Sequence, residues 1–214
     1  MKSKLSLRGI LIGVVALVAV VFAVGMWTSS PSGDIIVKER IFFKMKNSLD
    51  VEVDDKSAGK VAESLIQVSR TFTWTDASGN TAASARVAII SWGTEINVYD
   101  GAGTKIGSIE ERVFSRWGRT WTGYDIIDGN GKKIASSDKT EFMGTTIKLT
   151  APDGTLLAKL DRPWINPFGD TWGIKIEKPG AVDKSILVMI VAFKTAADRD
   201  KESGSSKDST PKKK

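Results

Sequence analysis

The sequence predicts a mainly β protein folded as one closed antiparallel barrel, with a single transmembrane helix before it. Turn clusters rich in aspartate and glycine recur every 21–28 residues between positions 55 and 155. Polar and apolar residues alternate between these clusters, which is typical of strands that bury one face. Residues 9–27 contain no charged side chain and would form a helix about 28 Å long, enough to cross a bilayer core.

The N-terminal segment is predicted to be a single-pass signal anchor. Residues 1–8 are basic, and no further positive charge occurs between the apolar stretch 9–27 and Lys38. The positive-inside rule therefore places the N-terminus in the cytoplasm and the barrel outside it, joined by a flexible linker at residues 28–33. The alternative is a signal peptide cleaved near Gly25, which would give a secreted protein.

Charge and composition exclude several classes of function. The formal net charge of +6 comes from the two termini, because residues 9–200 contain 23 basic and 23 acidic residues. A neutral fold has no net field to attract DNA or RNA, so we expect no nucleic-acid partner. Cysteine and histidine are both absent, which excludes Ser-His-Asp and Cys-His catalysis and zinc sites built on these residues.

Five turn clusters divide the middle of the chain into hairpins. Their glycines would supply the positive φ angles of tight turns. With an opening strand from residue 34, five hairpins give eleven or twelve strands, and an open sheet of that size would leave two unpaired edges, so closure into a barrel is expected. The clusters are residues 55–59, 76–80, 100–103, 128–131 and 152–155.

The last apolar segment, residues 186–193, breaks the alternation. It follows Asp183 and Ser185, which are possible helix N-caps, and it is apolar on every side. Such a run is too short to span a bilayer, and its periodicity fits either a central strand or a fully buried helix.

Residues 34–198 resemble the LURP-one-related proteins, which share a fold with the tubby C-terminal domain and the phospholipid scramblases. The resemblance implies a closed barrel of about twelve strands around a buried hydrophobic C-terminal helix at about 183–197. Residues 199–214 would then form a disordered basic tail. The order and spacing of five segments carry the resemblance: residues 35–42, 98–103, 109–115, 127–132 and 186–193.

The resemblance also implies a function at membranes. Tubby-like domains bind phosphoinositide head groups through basic residues, and scramblases act on phospholipid distribution, but the motifs behind these activities have no counterpart here. We therefore expect a non-enzymatic, membrane-anchored barrel that contacts lipids or lipid-like ligands at the cell envelope. Two alternatives stay open: a protein-interaction or structural module that binds an envelope protein, and scramblase-like activity.

Two clusters are candidates for lipid contact, because arginine and tryptophan together suit anionic head groups and the membrane interface. In the first, the alternative is that the tryptophans cap the barrel end while the arginines pair with Glu110 and Glu111. In the second, predicted as a long loop over residues 162–172, the alternative is a lid on the barrel mouth. The candidate residues are Arg112, Arg116, Trp117, Arg119 and Trp121 in the first cluster, and Trp164 and Trp172 in the second.

Neither a metal, a cofactor nor an enzymatic reaction is expected. The Asp-Gly turns lack the ligand set of an EF-hand loop. The paired carboxylates, Glu110 with Glu111 and Asp54 with Asp55, occupy adjacent strand positions, whose side chains point to opposite faces and so do not converge on a substrate.

Overall fold

The computed structural model describes residues 32–39, 48–66, 69–90, 93–116, 119–138, 140–141, 145–163 and 170–207. At 65–66, 89–90, 93, 114–116, 119–121, 140–141 and 201–207 it describes the backbone alone. The predicted segments 1–8 and 9–27, most of the linker and residues 208–214 lie outside these ranges. Within them, no helix is both long enough and apolar enough to cross a membrane.

The described residues form thirteen strands and one helix. The strands are β1 Ile35–Glu39, β2 Ser48–Val53, β3 Lys56–Ile66, β4 Ser69–Thr75, β5 Thr81–Ile90, β6 Gly93–Asp100, β7 Lys105–Arg116, β8 Arg119–Asp128, β9 Lys133–Ser137, β10 Thr140–Glu141, β11 Thr146–Thr150, β12 Leu156–Asp161 and β13 Thr171–Ile176. Helix α1, Lys184–Lys207, follows them.

Twelve of these strands close into an antiparallel barrel. Strands β1 to β8 each pair with the next, β1 also pairs with β13, and the order continues through β12 and β11 to β9. Strand β9 then pairs with β8 and closes the ring. The short strand β10 adds to β8 near the end of the barrel. The predicted closed barrel of about twelve strands is therefore confirmed, and closure removes the sheet edges that an open arrangement would expose.

Helix α1 fills the barrel. Residues 186–193 are at most 5% exposed and pack against the inward-facing side chains of the wall. The backbone N–H of Ser185 donates to Asp183 Oδ1 at 2.7 Å, which confirms a cap at this helix start. The apolar run is thus a helix rather than a strand, because a helix satisfies its own backbone groups in a lumen without polar partners.

The helix is longer than predicted. It continues past residue 197 to Lys207, through the first part of the segment expected to be a disordered tail. Three successive charged residues beyond the apolar run, Asp198, Arg199 and Asp200, form ion pairs with the barrel wall. These contacts hold the polar part of the helix against the wall as far as Asp200.

Three hairpin turns share one hydrogen-bonding pattern, which accounts for the repeat in the sequence. Oδ1 of Asp76, Asp100 and Asp128 accepts from the backbone N–H groups two and four residues later, at 2.8–2.9 Å. The glycine three residues after each aspartate has a φ of 82–90°. The aspartate thus closes the turn and the glycine allows its positive φ.

The first hairpin differs from its prediction. Its turn consists of Asp54 and Asp55, with φ of 50° and 59°, rather than residues 55–59. Aspartate tolerates this conformation better than most residues, and two positive φ angles suit a two-residue hairpin. Gly59 instead lies in strand β3 with a φ of 105°, where an added Cβ would come 1.9 Å from the carbonyl oxygen of Thr75.

Because the strands are antiparallel, successive connections lie at alternate ends of the barrel. One end, here called the turn end, has the connections 54–55, 76–80, 101–104, 129–132, 151–155 and 177–183 and the start of helix α1. The other end, the network end, has the connections 40–47, 67–68, 91–92, 117–118, 138–145 and 162–170 and the C-terminal half of the helix. The chain enters strand β1 at the turn end, where the carbonyl oxygen of Asp34 accepts from the backbone N–H of Asp54 at 3.0 Å.

Candidate interaction site

Both sequence clusters proposed for lipid contact map to the network end. The first cluster spans the ends of β7 and β8, which meet at the pair Arg116 and Arg119. The second joins β12 to β13 at the same end. Trp117 and Trp164 lie outside the described residues. Segments about 50 positions apart in the chain are thus brought to one end of the barrel by strand order.

The β7–β8 hairpin extends past its neighbour β6. Pairing between β7 and β8 continues to Arg116 and Arg119, whereas the described pairing between β6 and β7 begins at Gly93 and Arg112. On the other side, the described pairing near the start of β8 is that with the two residues of β10. The described strands of this hairpin therefore reach beyond β6 at this end, as those of the β3–β4 hairpin reach beyond β2.

One face of this hairpin combines arginine and aromatic positions. Ile109 and Tyr124 are fully buried and mark the inner face, so Arg112 and Asp125 belong to the outer face. Alternation along each strand places the remaining positions on that outer face, with Phe114 opposite Trp121 and Arg116 opposite Arg119. We call this set the cationic–aromatic face: Arg112, Phe114, Arg116, Arg119 and Trp121.

Arg112 has a described side chain, which forms an ion pair on the barrel surface. Its Nε lies 3.1 Å from Asp125 Oδ2, and Lys133 Nζ lies 3.0 Å from Asp125 Oδ1. Asp125 on the neighbouring strand is thus one ion-pair partner of Arg112, and the predicted pairing of the arginines with Glu110 and Glu111 stays a prediction. The Arg112 side chain as a whole is nonetheless 39% exposed.

Trp172 is an interior residue. It lies in strand β13, is fully buried, and donates from Nε1 to Thr195 Oγ1 of helix α1 at 3.2 Å. The guanidinium of Arg162 stacks 4.9 Å from the centre of its ring. The predicted loop 162–172 therefore ends before Thr171, and Trp172 offers no exposed surface to a ligand.

A buried ionic network occupies the barrel interior at the network end. Lys194 Nζ lies 2.5 Å from Asp198 Oδ1, and both side chains are at most 6% exposed. Asp198 Oδ2 accepts from Arg162 at 2.8 Å, and Arg162 also donates to Asp170 Oδ2 at 2.6 Å. Burial raises the pKa of Asp170, an effect opposed by the adjacent Arg162.

A second set of ion pairs continues from the helix to other strands. Arg199 donates to Glu39 at the end of β1 and to Glu63 in β3, at 3.1 and 2.7 Å. Arg70 in β4 pairs with Glu63 at 2.8 Å and with Asp200 at 2.6 Å. Ion pairs thus join the helix to strands β1, β3 and β4 and to the end of β12.

Two further features border this network. The hydroxyl of Tyr124 is fully buried, and burial followed by the charge of Glu111 raises its pKa far above the usual value. A crevice of about 10 Å³, the room of one water molecule, is lined by Leu49, Val61, Glu63, Phe72, Ala192, Thr195 and Arg199. Among the described residues, no group of three or more carboxylates is placed to hold a metal ion.

Sequence reasoning missed this network, although part of its signal was present. Lys194 ends an apolar helical run and Asp198 follows one turn later, a spacing that suits an ion pair within a helix. A charged pair directly after a buried helical segment would have indicated buried charges. The wall partners could not be found in this way, because Arg162 and Glu39 are far away in the chain.

The comparisons with known proteins concern the fold alone. No protein-family model matches the chain, and no curated protein matches its sequence. The chain is similar to an X-ray structure of a protein from Arabidopsis thaliana, with 12% sequence identity, a TM-score of 0.49, and coverage of 79% of this chain and 94% of that chain. The resemblance to LURP-one-related proteins therefore stays a prediction, and the barrel rests on the strand pairing described above.

Proposed function

We propose that the chain is a non-enzymatic binding module that contacts anionic lipid head groups through the network end of its barrel. The cationic–aromatic face supports this proposal most directly. Arginine offers planar, paired N–H donors that match phosphate oxygens, and aromatic residues are favoured at the membrane interface. A hairpin that extends past its neighbouring strand can bring both to a flat surface.

The two ends of the barrel also differ in composition, and this difference supports the same orientation. The turn-end connections contain six acidic residues, two lysines and no aromatic residue. The network-end connections contain five basic and three acidic residues and seven aromatic ones. The aromatic residues are Phe42, Phe43, Trp92, Trp117, Phe142, Trp164 and Phe168. An anionic surface would attract the network end and repel the turn end, although the barrel as a whole is neutral.

The filled lumen supports binding at the outside of the barrel rather than within it. The side chains of residues 186–193 occupy the space in which some barrels hold a small ligand. The carboxylates of the ionic network are paired with arginine or lysine, which suits structural roles better than proton transfer. An interior catalytic site is therefore not part of the proposal.

The proposal retains a single-pass anchor at residues 9–27, with a cytoplasmic N-terminus and the barrel outside the cytoplasm. The chain enters the barrel at Asp34, at the turn end.

The test is co-sedimentation of residues 31–214, a single compact unit, with neutral and anionic phosphatidylserine vesicles at low and moderate salt. We expect binding to anionic vesicles that weakens with salt and is lost in the double variant Arg116→Glu/Arg119→Glu. The matched control is Lys60→Glu/Lys175→Glu, two exposed strand residues outside the face. Absence of vesicle binding would instead favour the protein-interaction alternative.

Scramblase-like activity is tested separately. The full chain is reconstituted in vesicles that carry a fluorescent phospholipid, and its movement between leaflets is followed by dithionite quenching. The proposal predicts the same rate as in protein-free vesicles, because the barrel interior is occupied by the helix.

A further inference from the structure

Apolar packing in the lumen defines the position of helix α1 along the barrel axis only weakly. Residues 186–193 are buried on all sides by apolar wall residues. Hydrophobic burial is non-directional, so a shifted helix could bury a similar area after repacking. Something else has to select one register.

The charged residues at the network end have the geometry needed for that selection. Asp198, Arg199 and Asp200 are consecutive, so their side chains leave the helix in three directions about 100° apart. Asp198 binds Arg162, Arg199 binds two glutamates, and Asp200 binds Arg70. Contacts in three directions constrain both the rotation and the axial position of the helix.

The buried pairs are poorly explained as sources of stability alone. Lys194 and Asp198 are at most 6% exposed, and Arg162 is 8% exposed. Removing such charges from water costs several kcal/mol for each ion, and replacing buried pairs with apolar residues is often neutral or stabilising. Buried polar groups that fix a register are a known reason for accepting this cost.

The sequence of the helix opposes a forward shift. In a forward shift of three, each residue is replaced at its site by the residue three positions later in the chain. Lys201 would then take the site of Asp198 and face Arg162. Glu202 would then face Glu39 and Glu63. Both contacts bring like charges together, which is unfavourable and strongest where water is excluded.

The other three neighbouring registers also lose native pairs. A forward shift of four would bring the uncharged residues 203–204 to the sites of Arg199 and Asp200. A backward shift of four would place Lys194 opposite Arg162. A backward shift of three would bring the uncharged residues 195–197 to the sites of the charged triplet and leave the wall charges without those partners. None of the four neighbouring helical registers restores the native set of pairs.

We infer that the ionic network is a register lock, which selects one position of the helix in an otherwise permissive apolar lumen. The lock also joins the helix to the ends of β1 and β12, where the connections 40–47 and 162–170 begin. It therefore sets the helix position relative to the end of the barrel that carries the cationic–aromatic face. This inference does not depend on the proposed lipid binding.

The test measures the helix position directly in the full chain. Because the chain has no cysteine, spin labels can be placed at Lys184→Cys and Ala102→Cys, both exposed and both at the turn end. The distance distribution between them should have one narrow peak in the parent. A shift by three or four residues moves the helix by about 4.5–6 Å, which double electron–electron resonance resolves.

The decisive variant replaces the charged residues of the network in both the helix and the barrel wall. We expect it to fold with a melting temperature no lower than that of the parent, and to show additional peaks displaced by one helical turn. A single native peak in this folded variant would overturn the inference. The substitutions are Lys194→Met, Asp198→Leu, Arg199→Met and Asp200→Asn in the helix, and Arg162→Met, Asp170→Asn, Glu39→Gln, Glu63→Gln and Arg70→Met in the wall.

If that variant does not fold, reversed charges decide the question. The helix variant Lys194→Glu/Asp198→Arg/Arg199→Asp/Asp200→Arg keeps the pair within the helix but places like charges against the wall in the native register, and the native peak should be lost. Reversal of the wall partners as well should restore it, through Arg162→Asp, Asp170→Arg, Glu39→Arg, Glu63→Arg and Arg70→Asp. Retention of the native peak without the wall reversal, or failure of the wall reversal to restore it, would overturn the register lock.

Discussion

Lys194 and Asp198 form an ion pair one helical turn apart, with both side chains at most 6% exposed. Asp198 also accepts from Arg162, so this carboxylate pairs with two buried cations. The pair joins the apolar part of helix α1 to the charged part that binds the wall. Asp198 is therefore the residue shared by the two buried ion pairs, one with Lys194 and one with Arg162.

Asp198→Asn should therefore be strongly destabilising. The substitution keeps the shape of the side chain but removes the negative charge that pairs with both Lys194 and Arg162 in the barrel interior. We expect a loss of about 3–5 kcal/mol in the free energy of unfolding, measured by urea denaturation followed by tryptophan fluorescence. Asp200→Asn is the control, because that side chain is 57% exposed and its pair should contribute less than about 1 kcal/mol. Equal losses in the two variants would contradict this prediction.

The contact between Trp172 and Thr195 should show coupling in a double-mutant cycle. Trp172→Phe removes the donor to Thr195 Oγ1 and weakens the stacking of Arg162, and we expect it to cost about 1–3 kcal/mol. Thr195→Val removes the acceptor with little change in shape. The coupling free energy from urea denaturation of the two single variants and the double variant should be about 0.5–1.5 kcal/mol. A coupling of zero would mean that the hydrogen bond does not connect strand and helix.

The predictable part of this fold is the part encoded locally. Asp76, Asp100 and Asp128 each form their turn with residues at most four positions away, so the hairpin repeat was visible in the sequence. Closure of the barrel followed from the number of strands and the cost of free edges. The buried helix at 186–193 needed the family resemblance, because an apolar run without alternation fits strand and helix equally well.

What the sequence did not predict depends on contacts between distant segments. Trp172 was placed in a loop because two prolines and a glycine precede it, yet the strand begins directly before it and its ring turns inward. The pairing of Arg199 with Glu39 joins residues 160 positions apart. Likewise, the grouping of the two Arg/Trp clusters at one end follows from strand order, which composition does not reveal.

Gly59 and Gly131 offer a comparison of two positive-φ glycines in different surroundings. At Gly59 an added Cβ would come 1.9 Å from the Thr75 carbonyl oxygen, whereas at Gly131 it would meet nothing within 4 Å. Gly131→Ala should therefore cost only the backbone strain of about 1–2 kcal/mol. Gly59→Ala adds a backbone clash, and we expect a loss of about 3 kcal/mol or more in the free energy of unfolding. Similar melting temperatures for the two variants would refute the assignment of Gly59 to a close approach between β3 and the end of β4.

Asp170 gives a prediction about pH. Burial raises the pKa of its carboxyl group in the folded protein above the unfolded value, even though Arg162 donates to it at 2.6 Å. A raised folded pKa means that the folded state favours the protonated form. The contribution of Asp170 to stability is therefore fully present below the unfolded pKa of about 3.9 and is lost as the pH rises through the folded pKa.

Asp170→Asn should remove this dependence, because an amide does not titrate. Relative to the parent, the variant should gain stability as the pH is raised from 3.5 to 7, and the difference should level off once the parent carboxyl is fully ionised. The measurement is urea denaturation of both proteins at half-unit pH intervals, with Asp161→Asn as a control for a carboxylate in the preceding strand. The opposite trend, in which the variant loses stability relative to the parent as the pH rises, would mean that attraction to Arg162 outweighs the cost of burying the Asp170 charge.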